Sequence, residues 1–184
     1  MNVYDFDKTI YPADSTAGFY RWCLRRYPMV RLSLPRTAVA FFCMGTRLLS
    51  KTRAKELFYR FLRRVPAEAP FLYWRERIGR IQVWYLEQKR PDDVIISASP
   101  EFLLRPAAEA LGVRLIASRV DPATGKYTGL NCHGEEKVRR FRAQFPGETP
   151  ENFWSDSRSD TPMARLSARA YIIRNGRSRP WPRR

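Results

Sequence analysis

The pattern of apolar and polar positions changes texture twice along the chain. Met1-Asn2-Val3-Tyr4 reads as a short strand and runs directly into Asp5-Phe6-Asp7-Lys8-Thr9. From Ser15 to about Glu87 apolar residues recur at helical spacing. Leu57, Phe58, Phe61 and Leu62 alternate with Arg53, Lys55, Arg60 and Arg63, and Trp74, Ile78, Ile81 and Trp84 or Tyr85 share one side of a second run. Pro28, Pro35, Pro66 and Pro70 divide this block into several helices, and it holds no clear strand. After Pro91 short β-branched runs return. Val94-Ile95-Ile96 ends at Ser97-Ala98-Ser99, a helix is expected over 100–111, and Gly112 is a natural stop for it. Residues 113–120 read as a strand, 121–125 as a turn and 127–132 as a returning hairpin arm. A helix over 135–145, a strand over 152–155, a helix over 162–168 and a strand over 171–173 follow. From Asn175 onwards arginine and proline dominate, and a disordered basic tail is expected over 177–184.

Strands alternating with helices predict an α/β fold, a parallel sheet covered by helices on both faces. The expected core domain comprises 1–14 and 91–176, with a helical cap domain over 15–90 inserted after the first strand. Ligands in such folds bind beyond the C-terminal ends of the strands. Three polar clusters fall there: residues 5–9, 97–99 and 155–160.

Charge changes the picture next. The 184 residues include 34 Lys and Arg against 18 Asp and Glu, a formal net charge of +16. Such a surface attracts polyanions, whether nucleic acid, anionic membrane or phosphorylated substrates. Three widely spaced cysteines and one histidine argue against a zinc site or a disulfide framework and fit a reducing cytoplasm. The acidic residues Asp5 and Asp7 interrupt the N-terminus before any signal-peptide run develops. The most apolar stretch, 37–45, is far shorter than the ~20 residues a membrane span needs.

The candidate chemistry lies in the carboxylates. Asp5 and Asp7 flank one residue after a strand and face one way if the backbone stays extended. Paired carboxylates call for a cation or a shared proton, and Mg2+ takes oxygen ligands from one or two of them plus substrate phosphate. An Asp-x-Asp alone fits a solvated loop or a helix cap equally well. Asp156 and Asp160 supply a second pair, with Asp160 or Thr161 also a candidate N-cap for the helix near Pro162. Ser97 and Ser99 precede a helix and suit either a phosphate cradle or an ordinary cap. Lys137 is one cation among many.

The order of these elements is more specific than any one of them. Strand–DxDxT, helical block, strand–SxS, helix with Lys, strand–DxxxD resembles the haloacid dehalogenase-like (HAD) phosphatase superfamily over the chain up to about Ile173, in the subfamily IB, phosphoserine phosphatase-like branch. The resemblance implies a HAD-like Rossmannoid core with a C1-type cap. It implies Asp5 as nucleophile and Asp7 as acid/base, with Thr9, Ser97, Ala98 and Lys137 at the phosphate. It also implies an Mg2+ site formed by Asp5, Asp7 (through its backbone carbonyl), Asp156 and Asp160. One departure concerns the fourth motif, which commonly runs GDGxND in phosphoserine phosphatases. Here it is Ser155-Asp156-Ser157-Arg158-Ser159-Asp160, with Ser159 in place of the asparagine.

For the substrate, the basic and aromatic cap bears on the choice. Arg31, Arg36 and Arg47 surround an apolar stretch, which suits an anionic membrane surface, and equally a packed helical core with a solvated basic rim. Leu115-Ile116-Ala117-Ser118, Cys132-His133-Gly134-Glu135-Glu136-Lys137-Val138 and Ser155-Asp156-Ser157 resemble the bacterial phosphatidylglycerophosphatase C branch. That likeness implies a lipid or amphiphilic phosphomonoester and a cytoplasmic enzyme peripheral at the inner membrane face. The alternatives are a soluble small-metabolite phosphatase of the phosphoserine type and a non-catalytic basic module binding nucleic acid, the latter disfavoured because clustered carboxylates repel a polyanion.

Overall fold

A computed structural model describes residues 1–46 and 48–182. Six strands form one sheet in the order β3-β2-β1-β4-β5-β6: β1 (Asn2–Tyr4), β2 (Val94–Pro100), β3 (Arg114–Ser118), β4 (Asn152–Ser155), β5 (Arg169–Arg174) and β6 (Arg177–Pro180). The first five run parallel. All of β1 and all but one residue of β2 are buried, as expected of parallel strands covered on both faces. The chain builds outward from β1 to β2 and β3, then returns to the other side of β1 for β4. The order therefore reverses at β1, and this switch point is where open α/β sheets place their ligands.

The cap consists of α1 (Ser15–Arg26), α2 (Leu34–Thr46), α3 (Lys51–Tyr59), α4 (Ala69–Arg77) and α5 (Val83–Gln88), with 3-10 turns between them. The core adds α6 (Glu101–Leu111), α7 (Glu135–Gln144) and α8 (Thr161–Leu166). Asp14 caps α1 through the Ala17 N–H, and Gly112, at φ +68°, ends α6. Cap and sheet share one aromatic cluster. Trp74 of α4 packs edge-on to Phe6 at 5.4 Å and Tyr11 at 5.0 Å, and its indole N–H donates to the Leu103 carbonyl of α6. Farther out, the Tyr127 N–H donates to Glu56 of α3. Gly125, at φ +74°, lies so close to the Tyr59 carbonyl that a Cβ there would sit 2.6 Å from it.

The end of the chain corrects the expected disordered tail over 177–184. Arg177–Pro180 pairs antiparallel with β5, and the Trp181 N–H donates to the Ala170 carbonyl. Asn175 (φ +51°) and Gly176 (φ +73°) make the two-residue turn that returns the strand, as an Asn-Gly pair favours. Residues 183 and 184 lie outside the described residues.

Candidate active site

Four segments meet at the switch point. Asp5 follows β1 and its N–H donates to the Trp154 carbonyl of β4, so the ends of the two central strands are tied together. The next residues form a tight loop in which the Thr9 and Tyr11 N–H groups both donate to the Phe6 carbonyl. Lys8 sits in the left-handed region at φ +56°, a conformation costly for a residue with a side chain and concentrated at functional loops.

Lys137, from the first turn of α7, reaches into this end of the sheet. It is almost fully buried, and its Nζ lies 2.7 Å from Asp5 Oδ1 and 2.8 Å from Asp160 Oδ2. The same Asp160 oxygen accepts from the Ser155 hydroxyl at 2.7 Å. Asp160 is therefore not the side-chain cap of α8; its carboxylate holds Lys137 instead. Burial works against the Lys137 ammonium, but Asp5 and Asp160 outweigh it and raise its pKa. Burial likewise drives Asp5 up, with Lys137 pulling it back. These opposing pressures act on one ion pair. An ammonium within hydrogen-bond reach of two carboxylates stays protonated at neutral pH, so Lys137 is the fixed cation of the site.

Asp7 has a separate set of partners. One carboxylate oxygen accepts from the Ser15 N–H at 2.7 Å and the other from the Ser99 hydroxyl at 2.5 Å. Ser99 is in turn 3.1 Å from Thr16 Oγ1 and 3.4 Å from Ser15 Oγ. Burial, reinforced by the charge of Asp14, pushes Asp7 up to about 6, against the two hydrogen bonds. Ser99 thus serves Asp7 instead of the ordinary helix cap that the sequence also allowed. The signal was present, because alternate residues of a strand face one way and Ser97 and Ser99 share a side. Ser15, Thr16 and Ser155 carried no such signal.

The remaining expected residues divide. Ser97 is buried near the end of β2 and its hydroxyl accepts from the Ser99 N–H at 3.1 Å. Ala98 is tied through its carbonyl to the Ser118 hydroxyl at 3.0 Å. Thr9 Oγ1 is sealed from solvent and has no hydrogen-bond partner among the described residues.

Asp156, just after β4, is half-buried, and burial raises its pKa. It accepts no hydrogen bond and forms no ion pair within the described residues. It lines a cavity of about 590 Å3 with Lys8, Gln82 and Arg174. Among the described residues no three His, Cys, Asp or Glu side chains form a ready cage for a metal ion. The donors nonetheless fit Mg2+ held by one or two carboxylates and water: Asp156 is uncommitted, and Asp5 makes its ion pair through Oδ1. Both carboxylate oxygens of Asp7 accept from protein donors, which leaves it its backbone carbonyl, and Asp160 is engaged through Oδ2, which leaves it a supporting place.

With this geometry in hand, comparison with known proteins defines the class. The model of the haloacid dehalogenase-like hydrolases matches residues 3–165, and the chain belongs to that family. Protein CicA of Caulobacter vibrioides is 28% identical over 95% of this chain and 86% of its own. Probable phosphatase Rv3661 of Mycobacterium tuberculosis is 35% identical over 50% of this chain and 37% of its own. Among solved structures, a Bordetella pertussis protein of unknown function superposes with TM-score 0.73 at 23% identity, covering 92% of this chain and 87% of that one. A phosphoserine phosphatase carrying an analogue of its phospho-aspartyl intermediate superposes with TM-score 0.53 at 18% identity, over 91% and 83%. By the family match the protein is a haloacid dehalogenase-like hydrolase.

Proposed function

We propose that this hydrolase is a phosphatase acting on a soluble phosphomonoester, of the phosphoserine type, through a phosphorylated Asp5. The observation that carries the reading is the pair of separately held aspartates. Asp5 is joined to a buried ammonium, and two residues on Asp7 is held by Ser15 and Ser99. A phosphate dianion repels a carboxylate nucleophile, and Lys137 offsets that repulsion beside the attacking oxygen. Asp5 attacks phosphorus, the bond to the leaving oxygen breaks, and Asp7 gives that oxygen its proton. Asp7 then takes a proton from the water that attacks the aspartyl-phosphate. A carboxyl pushed up to about 6 is suited to both transfers near neutral pH. Asp5, Asp156 and the Asp7 carbonyl would hold Mg2+, which when bound would supply charge neutralisation at the phosphoryl oxygens.

The phosphoserine phosphatase neighbour favours a small metabolite. The likeness of residues 115–118, 132–138 and 155–157 to the phosphatidylglycerophosphatase C branch, with the exposed apolar surface of the cap, favours a lipid phosphate as second reading.

The test is phosphate release from phosphoserine, p-nitrophenyl phosphate, phosphatidic acid and phosphatidylglycerophosphate, with and without EDTA. Asp5→Asn is expected to lower the rate by roughly 10^4-fold or more, as loss of a covalent nucleophile does, and EDTA is expected to silence the wild type. Preference for the lipids replaces the first substrate reading with the second. Full activity in Asp5→Asn, or in EDTA, overturns the mechanism.

A further inference from the structure

The α2 helix is inverted. Among the described residues its inward positions are polar or small: Ser33 just before it, then Thr37 and Ala40, all buried. The Tyr20 hydroxyl lies 2.9 Å from Thr37 Oγ1 and 3.3 Å from Ser33 Oγ, and Ser33 donates to the Val30 carbonyl at 2.6 Å. These hydroxyl contacts fix the rotation of the helix. The side left to solvent is apolar, with Leu34, Val39 and Phe42 (64% exposed) on the helix, Met29 and Leu32 before it and Leu48 (68% exposed) after it. Among the described residues of this segment the buried side carries the hydroxyls and the solvent side the valine and phenylalanine. An exposed apolar patch of this kind marks an interaction surface.

Charge decides what covers it. Between Asp14 and Glu56 the sequence holds nine Arg and Lys and no Asp or Glu. Arg25, Arg26, Arg31 and Arg36 are all exposed. A second copy presenting the same face would bring two unrelieved sets of cations together. Nucleic acid would satisfy the cations but gives Val39, Phe42 and Leu48 no apolar phase. An anionic bilayer surface satisfies both, with apolar side chains entering the acyl boundary and arginines meeting lipid phosphates. No helix among the described residues is long and apolar enough to cross a membrane, so the contact is interfacial.

We infer that the outer face of α2, with Met29, Leu32 and Leu48, docks the cap on an anionic phospholipid surface. The inference goes beyond the catalytic reading and stands apart from substrate choice, since a docked enzyme can still turn over a soluble ester.

Co-sedimentation of the full chain with vesicles tests it without any catalytic readout. Wild type is expected to bind vesicles of phosphatidylcholine containing phosphatidylglycerol and to be released by high salt, which screens the arginines. It is expected to bind pure phosphatidylcholine poorly. Val39→Glu/Phe42→Glu is expected to weaken binding roughly tenfold or more, whereas Leu130→Glu, exposed on the core, leaves it unchanged. Absence of binding to the anionic vesicles overturns the inference. So does an equal loss in Leu130→Glu. A wild-type dimer in light scattering that Val39→Glu/Phe42→Glu converts to monomer overturns it too, assigning the face to a second copy. Unchanged turnover of p-nitrophenyl phosphate by the double variant confirms that the catalytic site is intact, whichever way the vesicles decide.

Discussion

At the C-terminal end of the sheet an ammonium and two carboxylates lie almost out of reach of water, whereas on α2 valine and phenylalanine face water and the hydroxyls of Thr37 and, just before the helix, Ser33 turn inward. Both regions depart from the usual partition of polar and apolar residues, but with different energetic consequences. Desolvating Lys137, Asp5 and Asp160 is expensive and is offset only because each charge has a partner within 3 Å. The two sides of that balance are large and depend on each other. Leaving Phe42 in water forgoes stabilisation without creating an unpaired group, so the fold tolerates it at little cost. The charged cluster is thus coupled to folding, and the apolar face is nearly independent of it.

That contrast is most exposed to attack at Lys137. Lys137→Met leaves Asp5 and Asp160 without their cation in a buried site, and a loss of about 3–5 kcal/mol is expected, read by urea denaturation at pH 7. Adding Asp160→Asn removes one stranded charge and should recover part of it, since residues in one network do not act additively. A Lys137→Met cost below about 1 kcal/mol, the range of solvated pairs, would mean that the cluster is open to water and the comparison fails. Phosphatase activity should collapse in both variants, so stability separates coupling from catalysis.

The sequence was informative where a residue type meets a local backbone requirement. Asp5, Asp7, Ser97 and Asp156 sit at or near the ends of short buried strands, and both strands and acidic pairs are visible in the pattern. Gly112 ended α6 as expected. The β5–β6 hairpin was equally visible in Asn175-Gly176, but the arginine and proline content of the tail outweighed it as a signal, and the turn chemistry prevailed. Long-range pairing was less accessible. Nothing local says that Asp160 will turn to Lys137 instead of capping α8, or that Ser15 will donate to Asp7 from the start of the cap. The inversion of α2 was hidden for another reason: a helix apolar on most sides has no periodicity to show which side faces in.

Ser99 offers a smaller and sharper test within the charged region. Its hydroxyl holds Asp7 at 2.5 Å without itself reaching the reacting atoms in the proposed mechanism, so it is a positioning residue. Ser99→Ala removes one hydrogen bond to a carboxylate, worth about 1.5–3 kcal/mol, or roughly 10- to 100-fold in kcat/KM. The loss should be larger for phosphoserine than for p-nitrophenyl phosphate, because p-nitrophenolate leaves without needing a proton. Ser99→Thr keeps the hydroxyl and should restore most of the activity. Equal losses on both substrates would make Ser99 a general structural support and leave the proton donor to some other group.

The smallest expected effect tests the other region. Val39→Glu/Phe42→Glu should change unfolding free energy by no more than about 0.5 kcal/mol, the usual range for exposed positions, because both side chains already face water. Thr37→Val, on the inner face of the same helix, keeps the shape but removes the nearer of the two hydroxyl partners of Tyr20. It should cost about 1 kcal/mol or more if the phenol hydroxyl is left without that bond. The expected order reverses what hydrophobicity alone predicts, since adding charge outside is harmless and adding a methyl group inside is not. A double glutamate variant that lost 2 kcal/mol or more would show that the outer face packs against part of this chain in solution. In that case the cap would follow the same inside–outside rule as an ordinary helix, and no lipid would be needed to explain its apolar side.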